Sequence, residues 1–231
     1  MFSRHQSSIS PTPAPGRRKL SFIIYYLLFI ISATTIVSAC SEDTADYDPY
    51  YNWKARNAAW FAQAADSARS AIAAAQRAYG SEWEEHCDWR MYKSLRRSPI
   101  YQSGNVEDSI CVRILHRGDG EVSPISTDSV SITFRGSLMP TTDADGNRKE
   151  LVFTQTYYGD YDGTTAAPQR AVVNAFSEGF ETALQYMVAG DDWLVYIPQE
   201  LFYGSEKKDV IPAYSAALFR INLVTVYPMK K

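Results

Sequence analysis

The chain has 231 residues and a formal charge of −3, and 45% of it is apolar, enough to bury a core in one or two domains. Four of its 23 basic residues and none of its 26 acidic ones fall in residues 1–39, so the remainder carries −7 with no Lys/Arg-rich run. That balance excludes nucleic acid as the main partner. Three cysteines are too few for a disulfide scaffold, and His5, His86 and His116 are too isolated for zinc spacing, so no metal or cofactor is expected.

Arg17-Arg18-Lys19 precedes an apolar run over residues 20–37, which ends in Val37-Ser38-Ala39-Cys40 and passes at once to Ser41-Glu42-Asp43. A basic flank, an apolar run and small residues before a cut point describe a secretory signal over 1–39. The Val-Ser-Ala-Cys ending resembles a bacterial lipobox. That resemblance implies that Cys40 becomes a lipid-modified N-terminus, each acyl CH₂ adding about 0.8 kcal/mol of membrane affinity. The product would be an exported protein held on the bacterial cell envelope, most simply at the outer membrane. An uncleaved membrane-spanning helix competes, since 18 residues is about the minimum span. Export would permit Cys87 and Cys111 to pair, and two buried free thiols fit the sequence equally well.

Residues 40–51 are acidic and aromatic with Pro49, and read as a tether. Residues 52–79 hold no Pro or Gly, and twelve of the 24 residues at 55–78 are Ala, which predicts a helix. Trp53, Trp60, Ala64, Ala68, Ala71 and Ala75 stripe one face, and Gly80 ends it. Ser81 with Glu84 reads as a capping box opening a second helix, with Trp83, Cys87, Met91 and Leu95 on one face and Pro99 as its stop. Residues 52–98 are therefore expected as a helical hairpin. It has little core of its own, so it packs on the downstream domain or on a second copy as a homodimer.

From residue 109 the texture turns to short β-rich runs at 110–115, 129–134, 151–153, 193–197 and 218–224. One helix fits between them at 178–188, closed by Gly190. Five strands and one helix predict an α+β layout with the helix on one sheet face.

Residues 176–190 (FSEGFETALQYMVAG) and 197–204 (IPQELFYG) resemble two consecutive motifs of the FKBP-type peptidyl-prolyl isomerase family. Val210-Ile211-Pro212-Ala213, the run 218–223, residues 130–138 and Val152-Phe153-Thr154 stand where that family has further motifs, in the same order, covering 109–228. The resemblance implies a twisted antiparallel sheet around one short helix, with an apolar pocket for a proline side chain. Carried over by position, Tyr203, Phe153, Phe180 and Phe219 would be the catalytic lining, and Phe134, Phe176, Ser177, Ile211 and Thr154 would bind substrate, with the Ser177 N–H and Tyr203 hydroxyl meeting ligand carbonyls. The partners implied are proline-containing polypeptides.

Rotation about an Xaa-Pro bond needs no nucleophile, metal or base. Its barrier of about 18–20 kcal/mol is amide resonance. The twisted amide is less dipolar than the planar one, so a dry aromatic pocket favours it. Three departures from the family pattern stand out: Thr154 for an Asp, Phe180 for a Trp and Phe134 for a Tyr. The Trp-to-Phe change keeps an aromatic floor, whereas losing the Asp and the Tyr hydroxyl implies an isomerase of reduced activity, or a non-catalytic module that captures extended chains. Two insertions are expected around the site. Residues 140–150 turn at Asp145-Gly146, a hairpin turn rather than a calcium loop because the glycine is misplaced for one. Residues 155–169 hold Tyr157, Tyr158, Asp160, Tyr161 and Asp162, an aromatic loop suited to touching a polypeptide.

Overall fold

A computed structural model describes residues 48–97 and 104–229. The leader, Cys40, the tether as far as residue 47, and Pro99 lie outside the described residues. The alanine-rich segment forms helix α1 (Trp53–Tyr79), and Gly80, at φ +58°, ends it by donating its N–H to the Gln76 carbonyl.

The expected second arm of the hairpin is absent. After a single 3₁₀ turn at Gly80–Glu82 the chain becomes an edge strand, β1 (Trp89–Lys93). The buried Arg90 explains the departure. Its guanidinium donates to the carbonyls of Glu84 (2.5 Å), Cys87 (2.8 Å) and Trp89 (2.8 Å) and lies over the Trp83 ring, 4.6 Å from its centroid. Carbonyls that a helix would have bonded internally are satisfied by one side chain, and the strand backbone is satisfied by pairing. The four-residue apolar spacing at 83–95 arises from two different elements.

The remaining strands are β2 (Ser109–His116), β3 (Ser129–Thr142), β4 (Arg148–Gln155), β5 (Gln169–Val172), β6 (Asp192–Ile197) and β7 (Ala217–Tyr227). Among the described residues they make one seven-stranded antiparallel sheet in the order β1-β2-β6-β7-β3-β4. The long β3 pairs with β5 over its first residues and with β4 over its last. β5 escaped notice in the sequence because Gln-Arg-Ala-Val has neither alternation nor length. Its pairing with Ser129–Ile132 creates it. The turn at Gly146 (φ +83°) joins β3 to β4, and the Asp143 carboxylate accepts the N–H groups of Asp145 and Asn147.

Helix α2 (Glu178–Tyr186) lies on one face of the sheet. It ends two residues early. Gly190 (φ +93°) serves the return to the sheet instead, donating its N–H to Leu223. Phe180, Ala183, Leu184 and Met187 pack there with Ile110, Val112, Val130, Ile132, Val195, Ile197, Ile221 and Leu223. Strand alternation sends Cys111 and Tyr196 to the opposite face, where α1 covers them with Trp60, Phe61, Ala65 and Ala68. So α1 spends its apolar stripe inside the chain. The segment after β1 is tied to the first turn of α2: Arg96 pairs with Glu181, Arg97 with Glu178 (2.9 Å), and Ser94 donates to Glu178 (2.5 Å). Two glutamates in that turn also suit the positive end of the helix dipole.

Cys87 and Cys111 are both buried and free. Burial pushes the Cys111 thiol up to about 12 against a smaller opposing effect of Arg69. Below about pH 9 folded and unfolded chains both hold this proton. Above it only the unfolded chain releases it, so this thiol lowers stability as pH rises. A thiol reagent at pH 8 is expected to leave Cys111 unmodified in the native protein and to modify it in urea, read by peptide mass spectrometry. Gly179 sits where a Cβ would stand 2.3 Å from Ile197 Cγ2 and 3.2 Å from the Leu201 carbonyl. Gly179→Ala should cost about 1–3 kcal/mol by overpacking, measured as a lowered urea midpoint.

Candidate active site

The aromatic residues singled out in the sequence sit on five separate stretches of chain. Phe134 is on β3, Phe153 on β4 and Phe219 on β7, all on the α2 side of the sheet. Phe176 precedes α2, Ser177 is its N-cap and Phe180 lies in its first turn. Tyr203 follows the 3₁₀ turn Gln199–Leu201, and Ile211 lies at the end of the same loop. The fold brings all of these, with Thr154, around one half-open hollow of about 290 Å³.

Phe180 forms its floor and is only 2% exposed. Its ring stacks on Phe176 at 4.4 Å between centroids, and it meets Phe134 (5.7 Å) and Phe219 (4.9 Å) edge to face. Phe219 in turn meets Phe153 edge-on at 5.5 Å. Edge-to-face contact suits the ring quadrupoles and leaves the hollow walled by ring faces and edges.

Local backbone geometry places these rings. Gly136 pairs with Thr154 and Ser137 with Val152, so Phe153 is the extra residue of a β-bulge, and bulges re-aim side chains. A Cβ at Gly136 would lie 2.4 Å from the Phe219 ring and 2.9 Å from the Phe153 ring, so the missing side chain is what lets both rings close on the strand. At Phe202 the backbone (φ −115°, ψ −106°) leaves the extended region. Neighbouring side chains there no longer alternate, and Phe202 and Tyr203 both line the hollow, their rings 4.2 Å apart.

The sequence reading missed Phe202, Ala175, Lys208, Asp209 and Val210. An alternation argument admits only one of two adjacent aromatics, and exposed polar loop residues carry no periodic signal. Lys208 and Asp209 put one charge of each sign at the mouth, and the Lys208 ammonium lies 5.0 Å over the Tyr203 ring. The Ser177 N–H, at the start of α2, has no acceptor among the described residues. No three His, Cys, Asp or Glu side chains come together as a metal cluster among the described residues.

The tyrosine-rich insertion does not border this hollow. Tyr157 and Tyr161 fold onto the opposite sheet face, lining a separate cleft with Arg135, Ser137, Leu218 and Arg220. β3 and β7 alternate, so Arg135 and Arg220 point away from Phe134 and Phe219. Arg220 explains the loop's choice of side: it holds Asp192 through two nitrogens (Nη2 at 2.6 Å) and offers its guanidinium to the Tyr161 ring at 5.0 Å. Burial raises the Tyr157 phenol above its usual range despite Arg220 nearby. Tyr158, 86% exposed, remains free of the cleft lining.

The profile of the FKBP-type peptidyl-prolyl cis-trans isomerase family matches residues 120–224. The chain is 29% identical over 123 residues to the FKBP-type 22 kDa peptidyl-prolyl cis-trans isomerase of Escherichia coli K12, covering 53% of this chain and 52% of the other. It is 30% identical over 115 residues to the peptidyl-prolyl cis-trans isomerase Mip of Coxiella burnetii, covering 49% and 43%. It is 29% identical over 111 residues to the macrophage infectivity potentiator of Trypanosoma cruzi, covering 48% and 49%. The chain thus spans about half the length of the curated relatives it matches. Among solved structures it resembles a peptidyl-prolyl cis-trans isomerase of Pseudomonas syringae pv. tomato, at TM-score 0.41 and 21% identity over 71% of this chain and 94% of the other. The three FKBP domains of wheat FKBP73 give TM-score 0.42 and 23% identity over 55% and 49%. The family profile and the curated relatives together support the FKBP-type peptidyl-prolyl cis-trans isomerase family for residues 120–224 of this chain.

Proposed function

We propose that the ring-lined hollow receives a proline residue of a polypeptide and accelerates rotation about the Xaa-Pro bond ahead of it. The observation that carries this reading is the convergence of seven aromatic side chains, with Ile211, on one half-open cavity. The uncatalysed exchange takes tens to hundreds of seconds. Lowering its barrier requires only that the twisted amide be held more tightly than the planar one. Phe180, Phe176 and Phe219 exclude water from the imide, and the loss of amide dipole on twisting costs little where nothing solvates that dipole. The Tyr203 hydroxyl and the Ser177 N–H stand at the rim as donors for peptide carbonyls, fixing the chain while the bond turns.

Thr154 and Phe134 reduce the polar equipment of the rim, since neither supplies a carboxylate or a phenol where the family pattern has one. The proposal therefore includes a turnover below that typical of the family. Capture of extended chains without catalysis is the second reading, and the observation favouring it is the same Thr154. We also propose that residues 1–39 are removed and that Cys40 carries lipid, so that the domain works on exported chains at the cell envelope.

Exchange NMR on a proline tetrapeptide should show acceleration by the protein. Phe180→Ala and Tyr203→Ala should each lower kcat/KM about tenfold or more, and Thr154→Asp should raise it severalfold. Absent turnover at high enzyme concentration, with retained binding of an unfolded chain, would replace catalysis by capture. Metabolic labelling with a fatty acid is expected to mark the wild-type chain in bacterial membranes and to fail for Cys40→Ser.

A further inference from the structure

Two residues of the hollow's wall, Tyr203 and Ile211, belong to a long irregular segment between Leu201 and β7, whose residues 205–210 are exposed. Such a segment has little of its own to hold it. Besides short-range backbone bonds such as the Lys208–Ile211 pair and the Gly204 N–H to the Gln199 carbonyl, its anchors come from the first turn of α1, far outside the family-matched residues 120–224. The Trp53 indole N–H donates to Ser215 Oγ at 2.9 Å, and that hydroxyl donates to the Pro212 carbonyl at 2.6 Å. Asn57, 1% exposed, accepts the Ala216 N–H at 2.9 Å while its amide donates to the Trp53 carbonyl at 2.8 Å. The Trp53 ring packs in one cluster with Ile211, Leu138 and Met139.

The link continues to Tyr203. Tyr214 sits at φ +62°, a strained conformation for a bulky residue, and its N–H donates to the Gly204 carbonyl at 2.7 Å. The Lys54 ammonium lies 4.4 Å over the Tyr214 ring. One turn of α1 therefore grips residues 212–216, and these grip both ends of the wall: Ile211 by chain continuity and packing, Tyr203 through Gly204.

We propose that Trp53 and Asn57 are positioning residues of the proline hollow, acting through Ser215, Ala216 and Tyr214 on Ile211 and Tyr203. This rests on the function proposed above. The helix is then part of the site and not only a spacer ahead of it. Neither residue touches a ligand in the hollow, so both act on how well its wall is preformed.

Trp53→Phe tests this, because it keeps an aromatic ring in the cluster while removing the indole N–H donor. In the full-length protein its expected effect is a rise of about three- to tenfold in KM for the proline tetrapeptide with kcat within about twofold. NMR signals of the Gly204 amide and the Ile211 methyls should move, while those of Val130 and Val173 stay. Ser215→Ala added to Trp53→Phe should lose little beyond Ser215→Ala alone. A purely structural role would lower the urea midpoint and leave KM and those signals at wild-type values, and that result overturns the proposal. If the wild type turns over no proline peptide, the proposed function fails, and the Gly204 and Ile211 signals still decide the positioning role. Should Trp53→Phe not fold, Lys54→Ala is read by the same signals, and unshifted signals overturn the proposal.

Discussion

A hollow walled by apolar rings is under constant pressure to collapse, because every unfilled face forfeits dispersion contacts and each ring would bury more area by leaning inward. What resists collapse here is backbone placement. The Phe153 bulge, the missing Cβ at Gly136 and the turn at Phe202 set Phe153 and Phe202 at angles from which both meet Phe219 edge-on and stop. Phe180 closes the floor from α2, which Gly179 lets settle against Ile197 and Leu201. Much of the rest of the sheet serves to keep those four backbone positions where they are. The ion pairs from Arg96 and Arg97 to the first turn of α2 do so from outside.

The two faces of the sheet are finished differently. The inner one is apolar and takes α2. The outer one is shared between α1, which covers Cys111 and Tyr196, and the tyrosine loop, which covers Arg135 and Arg220. Placing a bidentate Arg220–Asp192 pair on that outer face costs desolvation of two charges, offset by good geometry and by the aromatic ring laid over the guanidinium. The loop closes this half of the sheet with aromatic and charged groups, bringing the Tyr161 ring to a guanidinium that Asp192 already holds.

The chemistry of the hollow was legible where residue type and motif spacing coincide. Phe134, Phe153, Phe176, Phe180, Tyr203, Ile211 and Phe219 are scattered over 86 positions, yet their order identified them, and they meet. The five β-rich runs likewise became strands. What stayed hidden depended on partners distant in the chain. A stretch reading as a helix at 83–95 became a turn and an edge strand because Arg90 could cap its carbonyls and β2 could pair with it. The tyrosine loop was placed beside the hollow by its proximity in sequence, whereas the side of the sheet it covers was decided by Arg220. The mouth residues Lys208 and Asp209 had no pattern at all, only a loop that returns them to the rim.

The distribution of indoles has an optical consequence. Of the five tryptophans in the chain, none lines the hollow. Trp53, Trp60 and Trp89 lie along the seam between α1 and the sheet, Trp83 lies beneath Arg90, and Trp193 faces the α2 core. The chamber itself contains phenyl rings and one phenol, which emit weakly. Intrinsic emission from this protein is therefore a gauge of whether the first helix is seated, and Trp53, which packs in one cluster with Ile211, can carry news of an occupied chamber into that signal.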